Sequence, residues 1–291
     1  MAYRSIRKIL PAQKVNMGGI MLDQPLPLGN VQQIDPFLLV HHWAETMEPG
    51  QNHKQIGVGP HPHRGFSPVT FIFKGDIHHR DSLANSTIVK GGGTQWISSG
   101  KGIVHSERPS KAMAKSGGEF EIIQWWVNSP ISKKMDPAYY EALQPQDTPT
   151  VLLEDKRSSV GVVNGIFRNT KGAITPPNPM LNLRFELKQG AKVEIPITHS
   201  YNAFVYQLDG ALRINTTKES KAKDLIWFAK DGDSIQLEAI QDTRAILLSG
   251  EPLNEPTVSY GPFVMSTQTE IMEAIRDYQQ GKMGILIQEF D

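Results

Sequence analysis

The sequence predicts an all-β protein made of two β-barrels in tandem, with a short helix near the C-terminus. Three observations support this prediction. Glycine (25) and proline (20) are frequent among the 291 residues, which favours many turns. Apolar and polar residues alternate along most segments, with the period of half-buried strands. Two distant segments also resemble each other, as expected after duplication of a barrel.

Four segments carry the strand pattern most clearly: SPVTFIFKG (67–75), EFEIIQWWVNSP (119–130), MLNLRFELKQG (180–190) and YNAFVYQLDGALRIN (201–215). The last segment predicts two strands paired as a hairpin around Asp209-Gly210. MDPAYYEALQ (135–144) could form a short helix. The clearest helix comes last, because Thr267 and Glu270 form a capping box and Gly281 supplies a stop.

Prolines punctuate the segment between about 130 and 150. We therefore predict a first barrel over residues 1–130, a linker over 131–150, and a second barrel over 151–291 that ends in the helix. The internal repeat aligns 60–75 with 195–210, anchored at Gly75 and Gly210.

Composition excludes several classes of function. Thirty basic and thirty acidic residues cancel, so no global field attracts nucleic acid or an anionic membrane. The absence of cysteine excludes disulfides and thiolate ligands. The first 15 residues lack the apolar region of a signal peptide, and no apolar run reaches transmembrane length. We expect a soluble, cytoplasmic protein, or a nuclear one if the source is eukaryotic.

Two short motifs predict a metal site. In PHPHRGF (60–66), His61 and His63 lie two residues apart, so on a strand both side chains project from one face. In GKGIVHSERP (100–109), His105 and Glu107 repeat that spacing. One such motif is weak evidence. Two strands that each offer two ligands predict a site of three histidines and one carboxylate.

These residues also carry a family resemblance. HPHRGF, HRDS, QWISSGKGIVHSE and the C-terminal GEPLNEPTVSYGPFVMSTQTEIMEAIRDYQQG are similar to the pirin family of the bicupin superfamily. The resemblance implies two cupin (jelly-roll) barrels, with a mononuclear iron in the first held by the four residues just described. By the repeat, Pro196 and Thr198 stand opposite His61 and His63, so the second barrel is expected to hold no metal.

The resemblance further implies one Fe²⁺ per chain, for which Zn, Ni, Mn or Cu could substitute. The leading prediction is a dioxygenase that opens flavonol-type rings with O₂, like quercetin 2,3-dioxygenases, with Glu107 as both ligand and base. The alternative is a non-enzymatic, iron-dependent transcriptional co-regulator or redox sensor that acts through protein partners.

Other candidates are weaker. His79, in HRDS, either orients a ligand or is a polar surface residue. The pair His41-His42 and His53 are interpreted as loop residues. Ser67 and His41 depart from the family pattern, where Glu and Asp are usual. Ser67 and the glycine run 91–93 could alter the mouth of the pocket, which bears on substrate preference rather than on metal binding. The tryptophans at 96, 125 and 126 are predicted to lie in the barrel core.

Overall fold

The computed structural model describes residues 2–286, which are mostly β-strand. The first half contains β1 (Ile6–Pro11), β2 (Gln13–Met17), β3 (Ile20–Leu26), β4 (Phe37–Met47), β5 (Val58–His63), β6 (Phe66–Lys74), β7 (Asp76–Asp81), β8 (Ser86–Lys90), β9 (Thr94–Ser98), β10 (Ile103–Arg108), α1 (Lys111–Ser116), β11 (Gly118–Asn128) and β12 (Tyr139–Leu143).

The second half contains β13 (Thr150–Leu152), β14 (Ser159–Asn164), β15 (Ile166–Phe167), β16 (Thr170–Lys171), β17 (Met180–Leu187), β18 (Lys192–Pro196), β19 (Asn202–Gln207), β20 (Ala211–Ile214), β21 (Lys218–Lys221), β22 (Asp224–Phe228), β23 (Ser234–Ala239), β24 (Thr243–Gly250), β25 (Val258–Tyr260), β26 (Phe263–Met265) and α2 (Gln268–Gln279). The predicted all-β class is confirmed. Within the described residues, neither helix is long and apolar enough to cross a membrane.

The chain divides into two compact units. The first barrel comprises Asn16–Leu22, Phe37–Asp147 and the residues from Asn254 onward, and the second comprises the residues up to Val15, Asp23–Pro36 and Thr148–Leu253. The first barrel has sheets of order β12-β9-β6-β11-β4-β3-β2 and β5-β10-β7-β8. The second has sheets of order β1-β22-β19-β24-β17-β14-β13 and β18-β23-β20-β21. The two orders correspond strand for strand, as expected for a duplicated barrel.

These units depart from the predicted ranges at both ends of the chain. Strand β1 pairs with β22, so the first strand belongs to the second barrel. Strands β25 and β26 and helix α2 belong to the first barrel. Strand β12 lies inside the predicted linker, where a short helix was expected, and it pairs with β9. An edge strand joins whichever sheet offers unpaired backbone groups, and proline spacing carries no information about that choice.

In each barrel, one glycine turn connects the two sheets at the position predicted as a repeat anchor. The predicted hairpin at Asp209-Gly210 is wrong as a pairing, since β19 and β20 flank the turn but lie in different sheets. Gly75 likewise links β6 to β7 across the two sheets of the first barrel. Both glycines have positive φ, 73° and 71°, and a Cβ at Gly210 would lie 2.2 Å from the Thr243 hydroxyl. The repeat anchors are therefore equivalent corners where a bulkier residue would be strained.

The core of the second barrel is apolar and mainly aliphatic. By strand order β18 corresponds to β5, and the buried residues of β18 and the residue after it are Val193, Ile195 and Ile197. Pro196 and Thr198, the counterparts predicted from the repeat, are exposed. The alignment of 60–75 with 195–210 contains no gap, but the loop between β18 and β19 is longer than the loop between β5 and β6. In β18 the alignment therefore pairs residues that point to opposite faces of the strand. Apolar side chains occupy the face that carries histidines in the first barrel.

The C-terminal helix forms as predicted. Thr267 caps α2, with its side chain accepting from the Glu270 N–H while the Glu270 carboxylate accepts from the Thr267 N–H. Ile271 and Ala274 are buried against β10 and β26 residues, including Val104 and Phe263. Helix α2 therefore packs on β25 and β26, in an apolar cluster that also contains Val104 of the strand carrying the second metal motif.

Candidate metal centre

Strands β5 and β10 bring three of the predicted residues together. The two strands are antiparallel neighbours, with His61 opposite His105 and His63 opposite Ile103. One ring nitrogen from each of His61, His63 and His105 lies within 4.8 Å of the others. The ring centroids are separated by 4.3 to 4.9 Å. Same-face positions on paired strands thus converge on one point, as the spacing predicted.

The three histidines are held neutral by their surroundings. His63 and His105 are 2% and 0% exposed. Burial lowers the pKa of both well below the usual range, and it also lowers the pKa of His61. A neutral imidazole keeps a ring nitrogen lone pair, which is the form that ligates metals. The site therefore presents three nitrogen donors at neutral pH.

Backbone carbonyls orient two of the rings. The Nδ1 atoms of His61 and His63 lie 2.8 Å from the Gly59 carbonyl oxygen and 3.3 Å from that of Pro262. A carbonyl can only accept, so each Nδ1 carries the proton and each Nε2 keeps its lone pair. Among the described residues, His63 Nε2 and both His105 nitrogens are buried without a hydrogen-bond partner. Buried ring nitrogens without a partner cost free energy unless a ligand engages them. These nitrogens therefore fit a metal ion.

Glu107 lies outside this group of three. The pairing of β10 with β5 has an irregularity between His105 and Glu107, and Glu107 is 6% exposed. Its Oε2 accepts a hydrogen bond from Gln124 Nε2 at 2.7 Å. Its Oε1 accepts from the Thr70 hydroxyl at 3.1 Å and from Gln95 Nε2. The structure thus places the predicted carboxylate beside the histidines, in contact with two amides. Its role as a fourth ligand stays a prediction.

His79 is fully buried, so the surface interpretation is wrong. It faces Glu107 across the β7–β10 pairing, and its ring centroid is 5.5 Å from that of His105. The ring stacks on Tyr140 at 3.8 Å, and Nε2 lies 2.9 Å from Asp81 Oδ2. His79 therefore packs beside a candidate ligand, and its role in orienting that ligand stays a prediction.

A small cavity opens beside Glu107. It measures about 40 Å³ and is lined by Met17, Leu22, His41, Trp43, Val58, Ile77, Glu107, Ile122 and Gln124. His41 and His42 lie on β4, so their interpretation as loop residues is wrong. Burial lowers the pKa of His41 to about 4, so this ring is neutral at pH 7. The cavity is apolar apart from one imidazole, one amide and one carboxylate.

Sequence reasoning missed Gln95, Gln124 and Asp81. The two glutamines interrupt otherwise apolar strands, TQWIS and EIIQWWV, and a polar residue at a core position was the available signal. Trp96 and Trp125 are buried as predicted. Trp126 is half-buried instead, with its ring 5.5 Å from that of His63.

Comparisons with known proteins agree with this architecture. The family model described as pirin matches residues 20–127, and the pirin C-terminal cupin domain matches 182–284. A Pseudomonas aeruginosa protein provisionally named a quercetin 2,3-dioxygenase is 35% identical, over 86% of this chain and 87% of its own length. A pirin-like protein of Caulobacter vibrioides is 32% identical, over 97% of this chain and all of its own length.

A solved structure is also similar throughout. The crystal structure described as quercetin 2,3-dioxygenase from Acinetobacter baumannii superimposes with a TM-score of 0.91 at 35% identity, and the match covers 98% of this chain and 100% of that one. Two cupin domains in tandem, with a three-histidine group in the first barrel, define a bicupin. The chain belongs to the pirin family.

Proposed function

We propose that this protein is an iron-dependent dioxygenase that opens flavonol-type rings. The observation that carries the proposal is the convergence of three neutral imidazoles beside a buried carboxylate that lines a cavity. His61, His63 and His105 would hold one Fe²⁺, with Glu107 as the fourth ligand. A redox-active ion with open coordination positions would supply the electron transfer that O₂ needs to react with an electron-rich enolate.

The residues around the cavity have separate parts in this scheme. Glu107 borders the cavity and would accept the proton of the substrate hydroxyl. Apolar side chains such as Trp43 and Ile122 would exclude water from the reacting groups. His41 lines the same cavity and would face a substrate bound there. Similarity to proteins with quercetin 2,3-dioxygenase names supports the substrate class.

The volume of the cavity favours a second candidate. A cavity of about 40 Å³ is far below the 300 Å³ or so at which drug-sized ligand sites begin. Flavonol entry therefore requires the wall to open, and Met17, which is 41% exposed, stands at its outer side. If the wall stays closed, an iron-dependent regulator that acts through a protein partner explains the same metal site. A cytoplasmic location stays a prediction in either case.

Anaerobic purification, elemental analysis and O₂ uptake with quercetin distinguish the two. We expect iron at one equivalent per chain and O₂ consumption that matches the loss of flavonol absorbance. Bound iron without O₂ uptake would contradict the dioxygenase and favour the regulator. A Met17→Ala variant that accelerates uptake would identify the cavity wall as the barrier to entry.

A further inference from the structure

The Glu107 carboxylate is held by side chains from three neighbouring strands. Thr70 lies on β6, Gln95 on β9 and Gln124 on β11, and the pairings place Gln124 and Gln95 on either side of Thr70. Gln95 Nε2 also lies 3.2 Å from the Thr70 hydroxyl. Both carboxylate oxygens therefore accept hydrogen bonds, and since a carboxylate has about four acceptor sites, one site, on Oε2, is left free by the described residues.

The orientation of the Gln124 amide is fixed by Trp126. The indole Nε1–H can only donate, and it lies 3.3 Å from Gln124 Oε1. Gln124 must then turn Nε2 towards Glu107, where it lies 2.7 Å from Oε2. If the amide were reversed, its oxygen would face the carboxylate and its N–H₂ would face the indole N–H. Both contacts would then be repulsive.

Trp126 contacts both halves of the candidate site. Its ring packs 5.5 Å from the His63 ring, centroid to centroid, and 4.4 Å from that of Phe66. The indole therefore touches one histidine directly and the carboxylate through one amide.

We propose that Trp126 and Gln124 are positioning residues, which hold the Glu107 carboxylate in the orientation that ligates the metal. This inference rests on the proposed metal site and goes beyond it, since it assigns a role to two residues that touch no metal in the proposed ligand set. Partners of metal ligands typically change metal affinity or activity by about 10- to 100-fold when they are removed.

Metal affinity in three variants tests the proposal. We would measure the Kd for Co²⁺ by competition with a chelator, using Gln124→Leu, Trp126→Phe and the double variant. Gln124→Leu should weaken binding about 10- to 100-fold, and Trp126→Phe, which keeps the aromatic contacts, should weaken it less. The double variant should bind no more weakly than Gln124→Leu, because the indole acts through the amide. The visible spectrum of bound Co²⁺ should change in Gln124→Leu.

Trp227→Phe, in the second barrel, is the matched control, and it should leave the Kd and spectrum unchanged. Thermal unfolding of the metal-free variants separates orientation from general damage, since a structural role would lower the midpoint without changing the Co²⁺ spectrum. Wild-type or tighter Co²⁺ binding in Gln124→Leu would overturn the proposal. A double variant in which the fold-changes in Kd of the two single variants multiply would also overturn it. Failure of O₂ uptake with the expected Kd pattern would refute the dioxygenase and leave this inference standing.

Discussion

Replacement of Lys134 by methionine should destabilise the first barrel. Lys134 is 2% exposed, and its ammonium donates to Asn128 Oδ1 at 2.6 Å, the Gly65 carbonyl at 2.7 Å and the Val264 carbonyl at 3.0 Å. Methionine has a similar length but donates nothing, so three acceptors lose their partner. Two of them flank the site, since Gly65 follows the His63 strand and Val264 lies near Pro262.

Two opposing contributions determine how much stability Lys134→Met loses: the lost hydrogen bonds and the recovered cost of burying a charge. Hydrogen bonds to a charged group contribute about 1.5–3 kcal/mol each, so three lost bonds cost roughly 4.5–9 kcal/mol. Burial lowers the pKa of Lys134 from 10.5 to about 8. The side chain is therefore still charged at pH 7, but its charged form is less favourable in the folded protein than in the unfolded chain. That shift corresponds to about 3 kcal/mol, which methionine would recover. The net expectation is a loss of about 3 kcal/mol at pH 7, between limits of roughly 1 and 6.

Thermal unfolding followed by circular dichroism measures this loss. A change of about 3 kcal/mol corresponds to a midpoint roughly 6–12 °C lower for a chain of this size. Lys133→Met is the matched control, because Lys133 is exposed and should change the midpoint little. A Lys134→Met protein as stable as wild type would refute the reasoning, since burial of the charge would then outweigh its three hydrogen bonds.

Four further predictions concern the site. His105→Ala should lose most bound metal and still fold, because the core residues of its barrel, such as Phe71, Trp96 and Trp125, lie on other strands; full metal occupancy by elemental analysis would contradict the ligand assignment. Glu107→Gln should lose O₂ uptake more than flavonol binding, and equal losses would indicate a purely positional role. Wild-type protein saturated with metal should hold one tightly bound transition ion per chain, and a second ion that survives His61→Ala would place ligands in the second barrel. The metal-free protein should lose up to about 3 kcal/mol of stability through His41 as the pH falls from 6.5 towards 4. In this range the unfolded chain binds a proton at His41, whereas the folded ring, with its pKa near 4, does not. If His41→Gln showed the same loss of stability in acid as the wild type, this prediction would be contradicted.

The sequence alone predicted that the three histidines come together, because their geometry depends on short-range rules. Two residues at i and i+2 on a strand share a face whatever the rest of the chain does. His61 and His63 needed only that rule, and His105 needed only one pairing of adjacent strands. The all-β class and the capped helix depend on similarly short-range patterns, namely alternation and the Thr267–Glu270 spacing.

The partners of Glu107 depend on non-local pairing. Gln95, Thr70 and Gln124 meet because β9, β6 and β11 are adjacent in one sheet, although they are far apart in the chain. The same limit explains the failed hairpin at Gly210 and the assignment of β1 to the wrong barrel. Turn chemistry predicts where a strand ends, but it does not identify the strand's neighbour.

The membership of the first barrel has a consequence for how the protein is made. The carbonyl that orients His63 belongs to Pro262, and Arg64, the next residue, forms an ion pair with Asp277 of α2 at 3.0 Å. These partners lie 199 and 213 residues further along the chain, so the ribosome makes them long after the histidine strand. The orientation of the His63 ring is therefore complete only once residues 262–277 have been synthesised. Loss of that later segment should damage the barrel whose histidine strand is translated first.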